Sequence, residues 1–92
     1  MVMMMVVRNI NNIRRKHMLI SYRREYHADV HISLLNQEAK PYQIEFSLEL
    51  TPLGGNIVRV KMLDEPDYPL VPLVNEIKER IAAMDRDDAL PR

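Results

Sequence analysis

Apolar side chains hold the even positions in two stretches of this chain: Tyr26, Ala28, Val30, Ile32 and Leu34, then Tyr42, Ile44, Phe46, Leu48 and Leu50. His27, Asp29, His31 and Ser33 alternate with the first set, and Gln43, Glu45, Ser47 and Glu49 with the second. Side chains along a strand point alternately to opposite faces, so a period of two predicts two strands with one dry and one wet face. Parallel strands covered on both sides would read as unbroken apolar runs. Ile57 to Leu63 repeats the alternation, with Val58, Val60 and Met62 on one side and Arg59 and Lys61 on the other. His17 to Tyr22 repeats it imperfectly through Met18, Ile20 and Tyr22, because Leu19 interrupts.

Short polar connections join these stretches: Arg23 to Glu25, Asn36 to Pro41, and Thr51 to Asn56 with Pro52, Gly54 and Gly55. Such turns return each strand antiparallel beside the last. From Leu70 the period changes: Leu70, Leu73, Val74, Ile77, Ile81 and Met84 form a stripe at spacings of three and four, the signature of a helix with one apolar face. Asp67 is a candidate N-cap, and Pro69 and Pro72 suit a first turn, where no intrahelical donor is needed. The expected fold is therefore α+β, a four-stranded antiparallel meander with one C-terminal helix, about Pro69 to Met84, packed on the dry face. Phe46 and Ile77 should be deeply buried between sheet and helix.

The ends read differently. Met1 to Val7 is apolar but far shorter than the roughly 18 to 20 residues of a membrane span, and it lacks the flanks of a secretory signal. Asn9, Asn11 and Asn12 then break any helical stripe. Three readings fit residues 1–16: a poorly ordered basic tail, an extra edge strand, or an extension upstream of a start at Met18. The tail is the favoured expectation, since chain ends without packing partners fray. Residues 17–84 then form a single domain, and 85–92, charged and containing Pro91, a second frayed end.

At 92 residues, one modest core is all the chain can build. It has no cysteine, so a disulfide framework, a thiolate metal site and a cysteine nucleophile are excluded; a reducing cytoplasm is the compartment this composition suits. Net charge is zero, but residues 1–31 carry six Lys/Arg against two acids, and the remainder is correspondingly acidic.

Chemistry is sparse. If Tyr22 pairs with Tyr26, His17 faces His31; if Leu34 pairs with Tyr42, His31 faces Glu45 and His27 faces Glu49. Opposed side chains lie about 4.5 to 5.5 Å apart at Cβ, which makes His17, His31 and Glu45 the candidates for a metal or acid-base site. A solvated face carrying cross-strand charge pairs gives the same pattern, with Arg59 and Lys61 extending it against Glu45 and Ser47. The Gly54-Gly55 pair lacks the spaced glycines and the Lys-Ser/Thr of a phosphate loop, and no cofactor is implied. Arg8, Arg14, Arg15, Lys16, Arg23 and Arg24 could contact phosphates, yet Tyr22, Tyr26, Tyr42 and Phe46 share the dry face, away from where a sheet stacks bases.

The expected function is thus a small non-enzymatic binding or regulatory module acting through protein–protein contacts, a homodimer among its forms, without a membrane partner. A meander leaves two open edges, expected at His17–Tyr22 and Ile57–Leu63. The alternatives are a nucleic-acid-binding protein using the basic arm, and a metal or catalytic site on the polar face.

Overall fold

The structure, a computed structural model, describes residues 5–18, 21–34, 37–66 and 69–91. Four strands run in sequential antiparallel order, β1 (Met5–Arg15), β2 (Arg23–Leu34), β3 (Lys40–Leu50) and β4 (Asn56–Met62), followed by one helix, α1 (Leu70–Arg86). This is the expected α+β meander. Its dry face is the even-numbered one: Tyr26, Ala28, Val30, Ile32, Ile44, Phe46 and Leu48 are buried against Leu73, Ile77 and Ile81 of α1. Tyr26 and Phe46 stack with ring centroids 4.9 Å apart.

The first strand is where the sequence expectation fails. His17, Met18, Ser21 and Tyr22 lie in a connection outside any strand, and Leu19 and Ile20 fall outside the described residues. Residues 5–15, expected to be a poorly ordered tail, pair with β2 as the edge strand. Two bulges hide this strand from a period of two. Val7 faces Ile32, the register slips at Arg8, Ile10 faces Val30, and it slips again between Asn11 and Arg14. Each extra residue resets the alternation, so Val7, Ile10 and Ile13 all reach the core although they stand three apart. Asn12 takes the left-handed conformation at φ 50°, which asparagine tolerates better than most residues, and its side-chain amide donates to Asp29 Oδ2 at 3.1 Å.

The β2–β3 register also differs from expectation. Val30, not Leu34, faces Tyr42, a slip of four residues along the pair. An even slip leaves every side chain on its face, so the dry face was read correctly while the cross-strand partners were not. The β3–β4 hairpin closes on Pro52–Gly54: Gly54 N–H donates to Thr51 O at 3.0 Å and Thr51 N–H to Gly55 O at 2.8 Å. Gly54 sits at φ +94°, a conformation that suits glycine.

The C-terminus is fastened, not frayed. Helix α1 starts after Pro69, with no side-chain cap bond; Asp67 lies outside the described residues. At its other end Asp88 turns left-handed at φ 55°. Asp88 N–H donates to Asp85 O at 3.1 Å and Ala89 N–H to Met84 O at 2.8 Å, the paired bonds of a Schellman turn. The reversed chain buries Leu90, and the Tyr26 hydroxyl donates to Pro91 O at 2.9 Å. Asp85 joins the helix end to the sheet, accepting from Arg24 at 2.9 Å and from Asn56 at 3.0 Å. Partial burial lowers the Arg24 pKa, but the bond to Asp85, with the charges of Tyr26 and Asp85, more than offsets it, so the guanidinium titrates above its ordinary value.

Candidate binding site

The wet face carries the titratable residues, but in pairings other than those expected. Glu45 faces His27, with His27 Nε2 to Glu45 Oε1 at 3.7 Å. His31 faces Pro41 on β3 and Asn9 on β1, and its buried Nδ1 has no hydrogen-bond partner among the described residues. His17 is exposed in the connection after β1. The candidate set of His17, His31 and Glu45 is therefore not assembled: Arg14, not His17, lies in β1 opposite His27, and the register slip moves His31 away from Glu45. Among the described residues no group of three or more His, Cys, Asp or Glu is placed to hold a metal.

Glu45 instead belongs to a charge ladder. Lys16 donates to Glu45 Oε1 at 3.2 Å and lies 3.8 Å from Glu25. That bond holds the Glu45 carboxyl below the usual carboxylate range; slight burial opposes it, and the charges of Lys16, His27 and Lys61 reinforce it.

The six basic candidates separate into two sets. Lys16 is engaged as above, Arg23 Nε lies 3.1 Å from Glu25, and Arg24 pairs with Asp85. Arg8 donates to the buried Ser33 hydroxyl at 2.9 Å. Arg14 and Arg15 are exposed and form no ion pair among the described residues.

The two sheet edges are unlike each other. The β1 edge is bulged twice and lined with Asn and Arg, devices that keep an edge from casual pairing. The β4 edge is regular. Leu63 N–H donates to Gln43 O at 2.9 Å, and the β3–β4 register is continuous from Met62 to Asn56. Antiparallel pairs alternate between bonded and non-bonded, so the odd residues of β4 bond to β3 while Asn56, Val58, Val60 and Met62 turn their N–H and C=O groups outward. The exposed large hydrophobics cluster on the same part of the chain. Leu50, Leu53, Ile57, Leu63, Leu70 and Val71 all lie in β4 or at its two ends, and Leu53 is 99% exposed at the hairpin tip. Tyr22, also exposed, joins them through its carbonyl, which accepts from Leu50 N–H at 2.8 Å.

Beside this edge the wet face has a shallow hollow of about 170 Å³, lined by Arg23, Glu25, Glu45, Ser47, Arg59 and Lys61. Glu25 and Glu45 already hold cations. Arg59 and Lys61 hold no carboxylate within ion-pair distance among the described residues, although Lys61 stands opposite Glu45 in the register, as the sequence led us to expect. The Arg23 Nε–H, despite its distance from Glu25, is buried and lacks a well-aligned acceptor.

Residues 2–86 match the model of the BB_0187 family, a span that takes in all four strands and α1. The chain belongs to that family. Neither the curated proteins nor the solved structures offer a match. The family's description names no activity and no partner, so function rests on geometry. Sequence reasoning had placed an open edge at Ile57–Leu63 but not the hydrophobic rim around it. The signal was present in Leu53 at the turn and in Leu70 and Val71 before the helix stripe settles.

Proposed function

We propose that this protein is a small non-enzymatic binding module of the cytoplasm that takes an extended segment of another protein as an added strand along β4. One observation carries the reading: of the two sheet edges, β1 is blunted by two bulges, whereas β4 is regular, turns backbone donors and acceptors outward at alternate residues, and is ringed by exposed hydrophobics. Strand addition draws affinity from main-chain hydrogen bonds and selectivity from alternate side chains, and needs no catalytic group. The cysteine-free composition supports cytoplasmic residence. Phosphate binding through the basic residues of the N-terminal half is the weaker reading, because three of the six are engaged in ion pairs with this protein's own acids.

The test is an NMR titration of the isotope-labelled full chain with short capped peptides in which valine alternates with Glu, Gln or Lys. At least one peptide should shift the amides of Val58, Val60 and Met62 and leave those of Arg8 to Arg15 in place. Shifts confined to β1, or none with any peptide, would refute the reading.

A further inference from the structure

Resting on the strand-addition reading, we infer that the segment accepted by β4 is an acidic–apolar alternating strand from a different protein, whose carboxylates meet Arg59 and Lys61 beside the hollow on the polar face. The chemistry of β4 dictates both halves of the partner. On the dry face Val58, Val60 and Met62 are only half buried and already pack against the core, so apolar residues of an added strand would extend that layer. On the wet face Arg59 and Lys61 stand two residues apart, both exposed, and neither has a carboxylate within ion-pair distance among the described residues. Arg23 adds a third cation and a buried unmet donor across the hollow from them, while the two acids in its lining are held by Lys16, His27 and Arg23. Carboxylates at alternate positions of an added strand are the groups that fit.

The same charges argue against a second copy of this chain. Antiparallel self-pairing of β4 centred on Val60 sets Arg59 opposite Lys61, and centring it on Arg59 sets that residue opposite its own copy. Like charges directly opposed in a sheet are destabilising, and opposite charges stabilise. The edge thus admits a partner strand while resisting its own.

Affinities of the intact protein for the valine–Glu, valine–Gln and valine–Lys peptides, read by fluorescence anisotropy at low and high salt, test this. The Glu peptide should bind on the order of tenfold tighter than the Lys peptide, since two cross-strand pairs change sign between them, and added salt should narrow the gap. The double variant Arg59→Glu/Lys61→Glu should invert the order. Because both residues are exposed it should fold, and Arg59→Gln/Lys61→Gln, which should erase the preference, serves if it does not. Equal affinity for all three peptides, or preference for Lys, overturns the inference and leaves strand addition standing. Binding of none overturns both, and a dimer whose protection from amide exchange lies along β4 overturns the hetero-partner.

Discussion

Leu90→Ala tests whether the chain after α1 is part of the fold. Leu90 is 6% exposed and belongs to the core cluster. Burying a leucine side chain contributes about 1.5 to 3 kcal/mol, and truncation to alanine costs about 2 to 5 kcal/mol once the cavity is included. The segment is held by the Schellman turn and the Tyr26–Pro91 bond, so it can settle partly into the space, and the lower end, about 2 to 3 kcal/mol, is expected. Small domains have only about 5 to 15 kcal/mol in total. At about 4 to 8 °C per kcal/mol for a domain of this size, Tm should fall by roughly 10 to 20 °C in a calorimetric or circular-dichroism melt. Tyr26→Phe, which leaves the Pro91 carbonyl without its donor, should cost about 0.5 to 1.5 kcal/mol alone and less in the Leu90→Ala background, where the tail has already loosened. A Leu90→Ala change within about 0.5 kcal/mol of wild type, the range of ordinary surface substitutions, would refute the reasoning and return residues 87–91 to a frayed end.

Phe46→Ala removes a core aromatic stacked on Tyr26 and should cost about 3 to 5 kcal/mol with loss of a cooperative melt; a near-wild-type Tm would mean that the ring is exposed. Deleting residues 1–16 should abolish cooperative folding, because it strips β1 from β2 and uncovers the core at Val7, and an intact cooperative melt for the truncated chain would contradict that. The Glu45 carboxyl, depressed by Lys16, stabilises the fold above the ordinary carboxylate pKa, and this contribution is lost as pH falls through the lower folded value. The effect is small, since about a third of each side chain is exposed and solvent screens the pair. Lys16→Ala should return the Glu45 titration, followed by carboxyl NMR, toward the ordinary range; an unmoved titration would remove Lys16 as the cause.

Much of this fold is legible without coordinates because β2, β3, β4 and α1 are regular. Strict alternation from Tyr26 to Leu34 and from Tyr42 to Leu50 set the faces, and the stripe from Leu73 to Ile81 set the helix that covers them. Regularity is what β1 lacks: its core residues Val7, Ile10 and Ile13 are offset by bulges, and spacings of three among asparagines resemble neither a strand nor a helix. Partners are harder to read than faces, since the four-residue slip between β2 and β3 preserves parity while replacing the His31–Glu45 pair with His27–Glu45. The C-terminal turn was missed because its left-handed residue is Asp88, where glycine would have marked it. Of the binding site, the position of the edge was visible in Ile57 to Leu63, whereas the hollow depends on a register no pattern specified.

The open β4 edge is the central claim, and Val58→Pro addresses it most directly. Val58 turns its N–H away from β3, so proline there removes no ladder bond, as befits proline on an edge strand, but it deletes one of the donors an added strand requires. Affinity of the full-length variant for the valine–Glu peptide, measured beside its melt, should drop to the detection limit while the melt stays cooperative with Tm lowered modestly. Undiminished binding by a folded Val58→Pro protein would contradict strand addition at β4.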